Sequence, residues 1–199
     1  MRVLSSLTGG GALAEFHLGH RLSNDIDLFT QDKEAWQNIE IDIRAAAAEI
    51  GVDVEFRAAK KGNELHRAIL KPLGEPEVKI DIVHDAPPHF GEPNVQPDGI
   101  IVDALENIAV GKLLALYGRA YPRDFLDVYF LLNSGQEFDY LLALGKEKDP
   151  GLFEEYLAET MRLITKMKPI DFPPTLKPFD AEKMKRFFLD LADKLSSKK

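Results

Sequence analysis

Leu7-Thr8-Gly9-Gly10-Gly11-Ala12-Leu13-Ala14, followed after five intervening residues by His20-Arg21-Leu22-Ser23-Asn24-Asp25-Ile26-Asp27-Leu28-Phe29, carries the most informative pattern in the chain. An apolar run over residues 4–8 ends in three glycines, and residues 12–18 read as a short helix. Consecutive glycines let backbone N–H groups approach an anion, and a helix N-terminus adds partial positive charge. A phosphate cradle is one reading of this turn; a tight strand–helix connection is the other. Residues 26–30 alternate like a strand. Side chains two apart on a strand share a face, so Asp25 and Asp27 stand together while Ile26 and Leu28 turn to the core. Adjacent carboxylates repel unless a basic partner such as Arg21 or Lys79, or a cation, offsets them. Hard oxygen pairs of this kind are what Mg²⁺ takes.

A third carboxylate lies further on. In Glu77-Val78-Lys79-Ile80-Asp81-Ile82-Val83 the apolar residues share one face, and Lys79 and Asp81 share the other. If this strand neighbours that of Asp25 and Asp27, three carboxylates converge, as in two-metal centres for in-line phosphoryl or nucleotidyl transfer. Around these segments the pattern gives a helix over 34–50 stopped by Gly51 and a strand over 52–58. A Lys60-Lys61-Gly62-Asn63 turn and a partner strand over 64–70 follow. Residues 86–99 carry four prolines and read as a loop or edge connection, with a last short strand over 100–102.

From residue 103 the texture changes to helices alone, over 104–119, 122–132, 138–145, 150–167 and 181–196, with 169–178 as an extended connector. The organisation expected is therefore α+β: a mixed β-sheet core with flanking helices over 1–102, then a helical domain over 103–199. Pro122 suits a first helical turn and Asp180 an N-cap. Lys112 and Arg119 are seven residues apart, so they lie on one helix face. Asp124 and Asp127 follow on the next helix. The bland alternatives are a snorkelling Lys112 and a surface Arg123–Asp127 pair. The five histidines read as structural, with His20 placed to orient the loop that carries Ser23 and Asp25.

Composition narrows the function. The 199 residues contain no cysteine, which excludes disulfides, cysteine-ligated zinc, iron–sulfur clusters and thiol catalysis. No run approaches the ~20 apolar residues of a membrane helix, and the N-terminus lacks signal-peptide character. The net charge of −8, from 25 basic and 33 acidic residues, argues against indiscriminate coating of nucleic acid.

The Gly-Gly turn, Ala12-Leu13, and Gly19-His20-Arg21 with Ser23 and Asp25-Ile26-Asp27-Leu28-Phe29 together resemble the AbiEii/AbiGii-type nucleotidyltransferase toxins. These belong to the DNA polymerase β-like nucleotidyltransferase superfamily. The resemblance runs in pieces over residues 7–132. It implies a nucleotidyltransferase-type sheet. It also implies Asp25, Asp27 and Asp81 as catalytic carboxylates and ligands of Mg²⁺ or Mn²⁺. Lys112 matches the family's helix lysine, and Arg119 to Asp127 its closing segment. Catalytic roles then fall on Lys112 and Asp127, with Asp127 positioning Lys112 or Arg119. Nucleotide contacts fall on Gly9, Gly10, Gly11, Ser23, Lys112 and Arg119. Gly11 stands where the family carries Ser or Thr, so Gly11→Thr is expected to keep the fold and strengthen the grip on phosphate, provided φ is negative there.

The function implied is transfer of a nucleoside monophosphate from an NTP to an acceptor hydroxyl, by the toxin of a toxin–antitoxin or phage-defence pair in the cytoplasm. Implied partners are an NTP, tRNA or another RNA acceptor, and a cognate antitoxin protein. Arg162, Lys166, Lys168, Lys183, Lys185 and Arg186 offer a basic patch for the RNA. Two other readings use the same residues: a non-catalytic module that binds nucleotide or partner, and a metal-dependent phosphodiesterase or nuclease.

Overall fold

The computed structural model describes residues 5–57, 65–85 and 87–197; the expected turn at Lys60–Asn63 lies outside them. The chain forms two compact units, one of Met1–Phe16 with Ser23–Ala104, the other of His17–Leu22 with Leu105–Lys199.

The first unit is built on a mixed sheet. Its described strands are β1 (Ser6–Thr8), β2 (Asp25–Thr30), β3 (Asp53–Arg57), β4 (Leu65–Lys71), β5 (Val78–His84), β6 (Asn94–Val95) and β7 (Ile101–Val102). They lie in the order β3-β4-β5-β2-β1-β7-β6. β2 runs parallel to β5 and antiparallel to β1. One sheet face is apolar because the alternation in β2, β4 and β5 puts Ile26, Leu28, Ala68, Leu70, Ile80 and Ile82 on it. Helix α2 (Lys33–Glu49) packs Trp36, Ile39 and Ile43 against that face. These three recur at helical spacing. Asp32 caps α2 by accepting from the Glu34 and Ala35 amides, and Gly51 at φ +69° ends it. With one face covered, the polar residues of the same strands are confined to the other.

Two details differ from expectation. The helix after β1 starts three residues early, as α1 (Gly9–Ala12), and continues as a π-helical segment, Leu13–Leu18. β6 forms inside the proline-rich stretch, pairing Asn94 with Val102 and Val95 with Ile101 at the sheet edge, where prolines are tolerated.

The second unit contains α3 (Leu105–Arg119), α4 (Pro122–Asn133), α5 (Phe138–Lys148), α6 (Glu154–Arg162) and α7 (Ala181–Ser196). Leu113, Leu116, Phe125, Leu157, Met161 and Phe188 are fully buried between them, and the Phe125 and Phe188 rings meet edge to face at 5.0 Å. Asp180 caps α7 as expected, accepting from the Glu182 and Lys183 amides. The expected helix over 150–167 is shorter. Asp149 binds the Gly151 amide and its carbonyl accepts from Leu152, which spends Pro150 and Gly151 on a turn; residues 163–166 then tighten into a 3₁₀ turn. The connector also opens with a 3₁₀ turn, Pro169–Asp171. Segment 17–22 is tied to this connector: the His20 carbonyl accepts from Leu176, and Arg21 bridges Thr175.

Candidate active site

Strand register assembles a polar row on the sheet face opposite α2. Thr8 of β1 pairs with Asp27 of β2, Asp27 with Asp81 of β5, and Asp81 with Arg67 of β4. One step along, Asp25 pairs with Lys79. Three carboxylates and two cations thus share one face, because paired residues on neighbouring strands point the same way.

The cations are taken up locally. Arg67 grips Asp81 with both edges of its fork, Nε to Oδ1 at 2.6 Å and Nη2 to Oδ2 at 2.8 Å. Lys79 donates to Asp25 Oδ2 at 2.8 Å and stands 3.4 Å from Asp81 Oδ2. Burial by itself raises the Asp81 pKa. The Arg67 hydrogen bonds and the Lys79 charge outweigh this and hold it below the ordinary carboxylate range. Lys79, one of the basic partners considered for the Asp25/Asp27 pair, therefore meets Asp25. Arg67 had no signal in the sequence beyond its place on a strand.

Asp27 is held differently. Its Oδ2 accepts from the Gly10 amide at 3.3 Å, and it comes so close to Gly9 that a Cβ there would lie 2.1 Å from it. The glycine turn thus folds onto the carboxylate strand. Gly11 is packed as tightly: a Cβ on it would lie 2.8 Å from the Asp25 carbonyl oxygen. This corrects the expectation for Gly11→Thr. Gly11 is not among the positive-φ residues, but backbone occupies the space a side chain needs. Ser23, half-buried, begins the return of the chain to this unit ahead of β2.

Hard oxygens from Asp25 and Asp27 suit a divalent cation. Asp81 is on the same face, with an Arg67 N–H on each of its oxygens, so a cation there would compete with that pair. Among the described residues, no three acidic or histidine side chains are arranged around a common metal position. Beside the row, Thr8 donates to Asp103 at 2.8 Å. On the same face a cleft of about 360 Å³ is lined by Ser6, Phe29, Thr30, His89, Glu92 and Asp103.

In the second unit a separate cluster centres on Asp127, which is fully buried. Arg21 donates Nε to Oδ1 at 2.7 Å and Nη2 to Oδ2 at 2.9 Å; His20 Nε2 donates to Oδ1 at 2.8 Å; Lys112 Nζ reaches Oδ2 at 2.8 Å. Burial raises the Asp127 pKa. Hydrogen bonds from Arg21 and His20 and the charges of Lys112 and Arg21 more than reverse it, holding this carboxyl far below the usual range. Lys112 is buried on α3 rather than snorkelling to solvent, and Asp127 is not a surface partner of Arg123. Arg119 is paired elsewhere: it grips the buried Asp124 at 2.8 and 2.7 Å, while Asp124 also accepts from the Tyr121 amide at the start of α4. The sequence placed His20 at the loop before β2 and Arg21 beside the carboxylates, but nothing in it said that both are buried against Asp127.

The expected basic patch is partly neutralised. Arg162 pairs with Glu159 and Asp193, and Lys185 with Glu182.

Solved structures with this fold include JHP933 from Helicobacter pylori, which matches at TM-score 0.62 and 18% identity over 98% of this chain and 84% of that one. The nucleotidyltransferase toxin MenT4 from Mycobacterium tuberculosis matches at TM-score 0.63 and 16% identity over 98% and 76%. At such identities the likeness establishes the fold. No curated protein sequence matches the chain. No helix among the described residues is long and apolar enough to cross a membrane. The model of the family described as nucleotidyl transferase AbiEii toxin, type IV toxin–antitoxin system, matches residues 6–198, so the chain belongs to the AbiEii family of nucleotidyltransferase toxins.

Proposed function

We propose that this toxin transfers a nucleoside monophosphate from an NTP to an acceptor hydroxyl on tRNA or another RNA, in the cytoplasm, and is silenced by a cognate antitoxin protein. The observation that carries the reading is the row of Asp25, Asp27 and Asp81 on one sheet face, folded against the glycine turn. The acceptor oxygen bonds to the α-phosphorus as the bond from that phosphorus to the bridging oxygen of the β-phosphate breaks. Pyrophosphate leaves, and the acceptor proton passes to a carboxylate of the row. Asp25, Asp27 and Asp81 are the residues that would hold Mg²⁺ or Mn²⁺, which would neutralise charge on the phosphates. Gly9, Gly10, Gly11, Ser23, Lys112 and Arg119 are assigned to the nucleotide. Asp127 serves Lys112, which it touches, rather than reacting atoms. The cleft beside Phe29 offers room of nucleoside size.

Labelled NTPs incubated with total RNA, with and without Mg²⁺, test this. Metal-dependent label on RNA, lost in a folded Asp27→Asn variant, is the expected result. Cleavage of RNA would favour the phosphodiesterase reading, and nucleotide binding without transfer the non-catalytic one.

A further inference from the structure

We infer that His20 and Arg21 are positioning residues for Lys112, acting through Asp127. An ionised carboxylate offers about four acceptor positions, and Asp127 has all four filled. Oδ1 takes Arg21 Nε and His20 Nε2; Oδ2 takes Arg21 Nη2 and Lys112 Nζ. The Arg21 fork spans both oxygens and fixes the carboxylate plane, and His20 closes Oδ1. The one acceptor position left for Lys112 is on Oδ2, in one direction. Backbone bonds from Leu176 to the His20 carbonyl and the Arg21–Thr175 bridge hold this pair of residues in turn.

One feature points beyond a role in stability. Among the described residues His20 Nδ1 has no hydrogen-bond partner although it is buried, beside the Phe130 ring at 5.1 Å. A cluster kept only to hold helices together does not need a histidine at that cost. The inference rests on the assignment of Lys112 to the triphosphate.

The test compares the full chain with His20→Gln, which keeps an N–H near the Nε2 position, and His20→Leu, which removes it. Each is read by thermal melt, by NMR of the slowly exchanging lysine ammonium group, and by titration with each of the four NTPs. The Lys112 signal is assigned by its loss in Lys112→Ala. The expected result is a folded His20→Leu without the Lys112 signal and with NTP affinity weakened about tenfold. His20→Gln should retain both, and His20→Leu should add little in a Lys112→Ala background. Should His20→Leu not fold, Arg21→Lys, which keeps the charge and loses the fork, is read in the same way. A folded variant with the Lys112 signal and parental affinity intact overturns the inference. A parent that binds no NTP overturns the assignment of Lys112 to nucleotide, while the ammonium signal still decides whether His20 and Arg21 position it.

Discussion

Asp27 occupies the space above Gly9: its Oδ2 lies 2.1 Å from the position of a Cβ on that glycine, whose φ is +67°. Two separate requirements therefore meet at one residue. Gly19 has a similar φ of +57° but nothing within 4 Å. The left-handed conformation alone costs roughly 1–2 kcal/mol for an L-residue, so Gly19→Ala should lose about that much. Gly9→Ala should lose more, and should weaken Mn²⁺ binding because Asp27 has to move. Paired melts of the two variants check this. Equal losses would mean that Asp27 swings aside freely.

At Gly11 the obstacle is backbone. The Asp25 carbonyl oxygen lies 2.8 Å from a Cβ placed there, and it cannot withdraw without shifting the start of β2. Gly11→Thr is therefore expected to destabilise by about 1–3 kcal/mol, the range for overpacking, and to displace Asp25. Unfolding in urea with a Mn²⁺ titration measures both. A variant as stable as the parent, with tighter nucleotide binding, would show that the turn opens to accept a hydroxyl.

Period-two alternation made the face of Asp25, Asp27 and Asp81 readable from the sequence, because a strand with one side in the core has no other place for carboxylates. Lys79 was readable as a partner from the face it shares with Asp81, but Arg67 was not. Arg67 reaches Asp81 through antiparallel register set after a turn, and no local pattern encodes that register. The Asp127 cluster joins residues 106 positions apart, Arg21 and Asp127, so its existence depends on packing of segment 17–22 in the helical unit. The tightness at Gly9 and Gly11 was equally hidden: a glycine in sequence permits close approach without saying what approaches.

Arg67 competes with any cation for Asp81. Its fork occupies both oxygens, at 2.6 and 2.8 Å. Arg67→Gln removes the competitor and one of the positive charges that offset the repulsion between Asp81 and Asp27. The variant should melt lower than the parent without metal and bind Mn²⁺ more tightly, by about tenfold if one charged hydrogen bond is no longer lost on binding. Calorimetric titration with Mn²⁺ decides it. Unchanged affinity would mean that Asp81 stays outside the ion's coordination.

Asp127 makes the stability of the chain depend on acid. Its carboxyl is held far below the usual range by Arg21, His20 and Lys112 against the effect of burial. A lowered pKa means that the unfolded chain binds the proton first. The contribution is therefore fully present above about pH 4 and is lost as the pH falls through the lowered value. Asp81 is shifted in the same direction and adds to the same limb. Asp127→Asn cannot carry the charge and removes the buried carboxylate that Arg21 and Lys112 share, a loss of about 3–5 kcal/mol at neutral pH. The gap between parent and variant should be widest at pH 5–7 and shrink towards pH 2. Urea unfolding across that range measures it. A gap that stays constant into acid would show that Asp127 is not ionised in the folded chain.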